Sequence, residues 1–70
     1  MKYQVLYPCI GGPDETGPEI EAGPTDAETI CRAIDALPDT VELHTLTAPD
    51  RQGVRLVRSG RLILAVLRPL

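Results

Sequence analysis

The sequence predicts an α+β domain in which a single helix packs on an antiparallel sheet, in the order β-β-α-β-β-β, with residues 1–70 as one small domain. Three observations carry this. Tyr3, Val5 and Tyr7 alternate with Lys2, Gln4 and Leu6, as in a half-buried strand. A capped segment of helical period runs over 25–37. The closing "VRLVRSGRLILAVL" reads as a hairpin around Ser59-Gly60.

The elements follow in order. "KYQVLYPCI" is the first strand. Three Gly-Pro pairs, Gly12-Pro13, Gly17-Pro18 and Gly23-Pro24, then punctuate the chain. The first two bracket "DET", a polar turn. The second opens "EIEA", where Glu19 and Glu21 alternate with Ile20 and Ala22 in a short strand. The third precedes "TDAE", in which Thr25 and Glu28 form a capping box and Asp26 favours the helix dipole. Ala27, Ile30, Cys31, Ile34 and Leu37 make one helical face, and Pro38 stops the helix. "DTVELHTLTA" reads as a strand with Val41 and Leu43 against Glu42 and His44. "PDRQG" is a turn. The register of the last hairpin is open. A two-residue turn pairs Arg58 with Arg61, and a three-residue loop with Gly60 left-handed fits equally well. The two registers swap faces on one strand.

Composition narrows the function. So short a chain buries only about 60% of its unfolded surface, so its stability is marginal. The residues are 43% hydrophobic, almost all aliphatic, with Tyr3 and Tyr7 as the only aromatics. That is a poor supply of stacking platforms for single-stranded nucleic acid. The net charge of -3 opposes general affinity for phosphate chains. The charge is unevenly spread. Residues 1–50 hold all ten acids against Lys2 and Arg32, whereas 51–70 hold Arg51, Arg55, Arg58, Arg61, Arg68 and no acid. "MKYQVLYPC" lacks the apolar core of a signal peptide, and the longest apolar run, "LILAVL", is far short of a membrane span. With two cysteines and no disulfide framework, the expectation is a cytoplasmic protein with free thiols.

No catalytic or metal motif stands out. Cys9, Cys31, His44 and a carboxylate are zinc-ligand types, but their spacing matches no finger, and a cysteine on a buried helix face is ordinarily a small hydrophobe. Cys9 with His44 has the types of a nucleophile and its base; a lone histidine on a strand is ordinarily a solvated side chain. "IGGPDETG" is glycine-rich, yet Asp14 and Glu15 repel phosphate. Asp14, Glu15, Glu19 and Glu21 lack the spacing of a calcium loop. The expectation is a non-enzyme without cofactors.

The surface signal is stronger. One helix covers one face of a sheet, yet Leu62, Ile63 and Leu64 continue a run that is apolar on both faces. Either arginine stems cover the back of a central strand, or the patch awaits another protein chain, a second copy or a target. Arg55, Arg58 and Arg61 cluster at the hairpin. They read as solubilising charge that protects strand edges, or as a β-ribbon entering a DNA groove. Asp14 and Glu15 are either a solvated acidic turn or a negative surface offered to a basic partner. Candidate partner-binding residues are therefore Arg55, Arg58, Arg61, Leu62, Ile63, Leu64, Asp14 and Glu15.

"EIEAGPTDAETICRAI", followed by the terminal hairpin "RLVRSGRLILAV", resembles a layout of small phage and mobile-element proteins. A strand ending in Glu-Ala leads to a Ser/Thr-capped helix, and further strands complete the sheet. The chain is similar in this to small anti-CRISPR proteins directed at type I effector complexes, over roughly residues 18–66 in layout and 19–34 in pattern. The resemblance implies an inhibitor that works by occupying a site on a nucleoprotein machine, and it carries over no functional residue. The expected function is a non-enzymatic protein-binding module of this phage type, as a homodimer or with a protein partner. The alternative is a nucleic-acid-binding protein using the arginine hairpin.

Overall fold

The computed structural model describes residues 1–35 and 43–70. Within them the chain runs β1 (Lys2–Tyr7), β2 (Glu15–Glu21), α1 (Asp26–Ile34), β3 (Thr45–Leu46), β4 (Arg55–Ser59) and β5 (Leu62–Pro69). The five strands form one sheet in the order β2-β1-β5-β4-β3, with every pairing antiparallel. The predicted α+β class and element order are as observed.

The core lies between α1 and one face of the sheet. Tyr3 and Val5 from β1, Ile20 from β2, Leu46 from β3, Val57 from β4, and Ala65 and Leu67 from β5 meet Ile30 and Ala33 from the helix. Val5, Val57 and Leu67 have no exposed surface. Tyr3 and Val5 on β1, and Ala65 and Leu67 on β5, are two residues apart, the period of a one-sided strand.

The helix begins as expected. Thr25 is extended, and its Oγ1 accepts from the Glu28 N–H at 3.2 Å. Gly23 has to be glycine, because a Cβ there would lie 2.6 Å from the Glu28 Cβ. The buried face is turned from the expected one. Thr29, Ile30 and Ala33 are buried, Cys31 and Ile34 are half-buried, and Ala27 is exposed. Thr29 tolerates burial because its hydroxyl donates to the Thr25 carbonyl (3.2 Å) and accepts from the Gly23 N–H (3.0 Å). The small Ala33 lets the Tyr7 hydroxyl reach its carbonyl at 2.8 Å. Helix α1 ends at Ile34, earlier than expected, with Asp35 left-handed at the C-cap (φ 53). Leu37, Pro38, Val41 and Glu42 lie outside the described residues.

Three further expectations are corrected. Strand β2 starts at Glu15, so "DET" is not purely a turn, and Gly17-Pro18 lies inside the strand. An edge strand accommodates a proline that cannot donate. The register slips there, and Gln4 Nε2 donates to the Gly17 carbonyl at 2.7 Å, satisfying the bulged backbone. Leu43 is exposed rather than alternating inward, and the strand after it is only Thr45–Leu46. The hairpin takes neither expected register. Its loop is Gly60-Arg61, with Ser59 opposite Leu62 and Arg58 opposite Ile63. Gly60 is at φ 60 and Arg61 is not at positive φ, the pattern of a type II′ turn. The turn at 49–53 forms as expected. Asp50 Oδ1 accepts from the Gln52 and Val54 N–H groups at 2.8 and 2.9 Å, and Gly53 is at φ 81.

Candidate functional site

The site is the sheet face turned away from α1. Alternation places Leu6, Leu56 and Val66 there, because Val5, Val57, Ala65 and Leu67 point to the helix. The register aligns Leu6 opposite Val66 and Val66 opposite Leu56, so three aliphatic side chains form one row across β1, β5 and β4. All three are half-buried, and no described element packs over them.

The end of this face is set by a bulge in β5. Val57 pairs with Ala65 and its neighbour Arg58 with Ile63, so Leu64 is an extra residue. The bulge turns Leu64 to the helix side with Ala65, where it packs against the core. Ile63 then joins the open face beside Arg58, 41% exposed. Leu62 is 63% exposed near the hairpin tip.

Charges frame the row. Arg58 follows Leu56 by two residues on β4, and Arg68 follows Val66 by two on β5. Gln4 sits opposite both Arg68 and Glu19, and Lys2 opposite Glu21, so the acids of this face lie on the β2 edge. Arg58 is half-buried, and its Nε has no hydrogen-bond partner.

The other candidates disperse. Arg55 points to the helix side, where its guanidinium reaches Asp26 Oδ1 at 3.4 Å and its Nε donates to the Thr47 carbonyl at 2.8 Å. Arg61 is exposed in the hairpin loop. The hairpin arginines therefore do not line one side of a ribbon. Asp14 and Glu15 are exposed at the start of β2, across the sheet from β4. Cys9 follows β1 and His44 precedes β3, and β5 and β4 lie between those two strands. Among the described residues no group of three or more His, Cys, Asp and Glu side chains can hold a metal ion. Among them, too, no helix is long and apolar enough to cross a membrane.

One concavity escaped the sequence reading. A cleft of about 610 Å³ opens at the end of α1, lined by Tyr7, Pro18, Arg32, Ala33, Ile34, Asp35 and Leu64. Its polar groups are largely engaged. The Tyr7 hydroxyl is held by Ala33, and Arg32 donates to the Glu21 carbonyl at 2.8 Å and pairs with Glu28 at 3.8 Å. No periodicity signals this cleft, because it depends on the Leu64 bulge and on where the helix ends.

Comparison with protein-family models, curated proteins and solved structures finds no match.

Proposed function

We propose that this chain is a non-enzymatic protein-binding module that engages another protein chain through the open face of its sheet. The observation that carries the reading is the aligned row Leu6, Val66 and Leu56, over which no described element packs. Aliphatic surface of this kind is withdrawn from water by a second chain, at about 25 cal/mol per Å² buried. Charged residues around it supply the rim that orients a partner. The dispersal of the arginines weighs against a nucleic-acid ribbon. Arg55 is already tied to Asp26 and Thr47, and Glu19 and Glu21 border the same face.

The resemblance over residues 18–66 makes a type I CRISPR effector complex the first partner to test, with the protein acting in the cytoplasm as an inhibitor. A second copy of the chain is the other protein partner to test. The experiment is the double substitution Leu56→Ser with Val66→Ser. Binding to purified effector complex is followed by biolayer interferometry, and self-association by light scattering. The variant should melt cooperatively and lose whichever association the native protein shows. A native protein that forms neither association, or a folded variant that keeps both, would refute the reading.

A further inference from the structure

We infer that the occupant of the open face is an acidic, aliphatic protein segment that sets a carboxylate on Arg58. The inference rests on the open face being the docking surface and adds the chemistry of what docks.

Arg58 is unlike the other cations of the chain. Arg32 and Arg55 have acidic and carbonyl partners, and Arg51, Arg61, Arg68 and Lys2 are exposed to water. The Arg58 side chain is half-buried. Its Nε–H is withdrawn from solvent with no acceptor, and no described residue hydrogen-bonds or ion-pairs with its guanidinium. A guanidinium cannot discharge itself by losing a proton. A buried donor left unpaired is a standing penalty, relieved by any chain that brings an acceptor. A carboxylate meeting the guanidinium side-on takes Nε–H and one terminal N–H together, once the side chain swings off the strand.

The surroundings choose the carrier of that acceptor. Arg58 and Arg68 flank the aliphatic row on opposite sides along the strand direction, Arg58 two residues beyond Leu56 on β4 and Arg68 two residues beyond Val66 on β5. Along the strands they stand roughly 13 Å apart, at about 3.4 Å per residue. A segment laid along β4 and β5, crossing the row at Leu56 and Val66, therefore meets aliphatic side chains in its middle and a cation at each end. Acid-flanked aliphatic residues match that sequence of contacts. A phosphate chain does not, because both tyrosines lie on the helix side and the row offers no ring for a base to stack on.

The test uses the whole protein and three synthetic peptides with a common leucine core. The peptides carry two glutamates at each end, two glutamines, or two lysines, and a dT oligonucleotide is the fourth probe. The glutamate peptide should bind at least about tenfold tighter than its glutamine twin, with the lysine twin weakest. Arg58→Gln should erase that preference and Arg51→Gln should leave it. Arg58→Lys keeps the charge but lacks the side-on pair, so it should keep part of the preference. The Arg58 Nε–H resonance should move with the glutamate peptide alone. Circular dichroism confirms that each variant is folded.

Equal binding of all three peptides, lost together in Leu56→Ser, would leave the docking face standing and overturn the acidic occupant. Self-association through the row without peptide binding would overturn it in favour of a second copy. Oligonucleotide binding lost in Arg58→Gln would overturn it in favour of nucleic acid. Failure of every probe to bind would overturn it as well, whereas the docking face is judged by its own double variant.

Discussion

Replacing Thr29 by Val removes a hydroxyl from the core while keeping the shape of the side chain. Thr29 is 2% exposed. Its Oγ1 accepts from the Gly23 N–H at 3.0 Å and donates to the Thr25 carbonyl at 3.2 Å. The Thr25 carbonyl loses little, because it also accepts from the Thr29 N–H at 3.1 Å. The half-buried Gly23 N–H is left with no other acceptor among the described residues. A lost bond with a stranded donor amounts to about 2 kcal/mol. A chain of this length has only about 4–10 kcal/mol in total. Unfolding entropy of about 2.1 cal/mol/K per residue converts the loss to a fall in Tm of about 14 °C. Thr29→Ser keeps the hydroxyl and removes one methyl, so it should cost about 1 kcal/mol. Ala27→Ser, on the exposed side of α1, should stay within about 0.5 kcal/mol of the native protein. Urea titration and thermal melts followed by circular dichroism measure all three. A Thr29→Val protein as stable as the native one, or an Ala27→Ser protein that falls as far, would refute the orientation of the helix.

Four other outcomes are expected. Gly17→Ala should lose about 1–3 kcal/mol in a thermal melt, because its Cβ would lie 2.5 Å from the Tyr7 ring, which is held by the bond to Ala33. Gly60→Ala meets no neighbouring atom, so only the left-handed backbone is strained; about 1–2 kcal/mol is expected in urea titration, and Gly60→Asn should lose less. Asp26→Asn should change stability by less than about 1 kcal/mol, because the carboxylate paired with Arg55 is 66% exposed, and raised salt should shrink even that difference. An aromatic disulfide reagent should modify the exposed Cys9 promptly in the native protein and the half-buried Cys31 more slowly; equal rates would contradict their placement.

What the sequence discloses is local. The helix start is written in Thr25 and Glu28, three residues apart, where the Thr25 hydroxyl accepts from the Glu28 N–H, and in Gly23, where the approach of Glu28 leaves no room for a Cβ. The turn at 49–53 is equally local, with Asp50 and Gly53 supplying its bonds and its positive φ. Apolar character places Cys31 and Ala27 on the packed helix face, while the structure buries Thr29. That choice depends on a hydroxyl finding two backbone partners, which no hydropathy pattern records. The segment 62–67 is apolar beyond what one helix covers, so an aliphatic surplus on the far face is legible, whether arginine stems cover it or it stays open. Its membership is not. The bulge at Leu64 reverses parity, bringing Ile63 to the open face and taking Leu64 off it. Arg55 and Arg58, three residues apart, ended on opposite faces for the ordinary reason of strand alternation. The orphaned Nε of Arg58 is a tertiary feature that no pattern in the sequence records.

The place of β5 in the sheet also governs how the domain comes to exist. It is the middle strand, and Val5 meets Leu67 across it. During synthesis the β1–β2 pair and the helix are made early, yet Val5, Tyr3 and Ile30 have no complete core to enter until Ala65 and Leu67 arrive. The nascent chain therefore carries these apolar residues unprotected until β5 is available. Closing contacts of such long sequence separation slows folding and lengthens exposure to proteases and chaperones. Any truncation reaching Leu67 should leave a chain that is degraded, rather than a weakened domain.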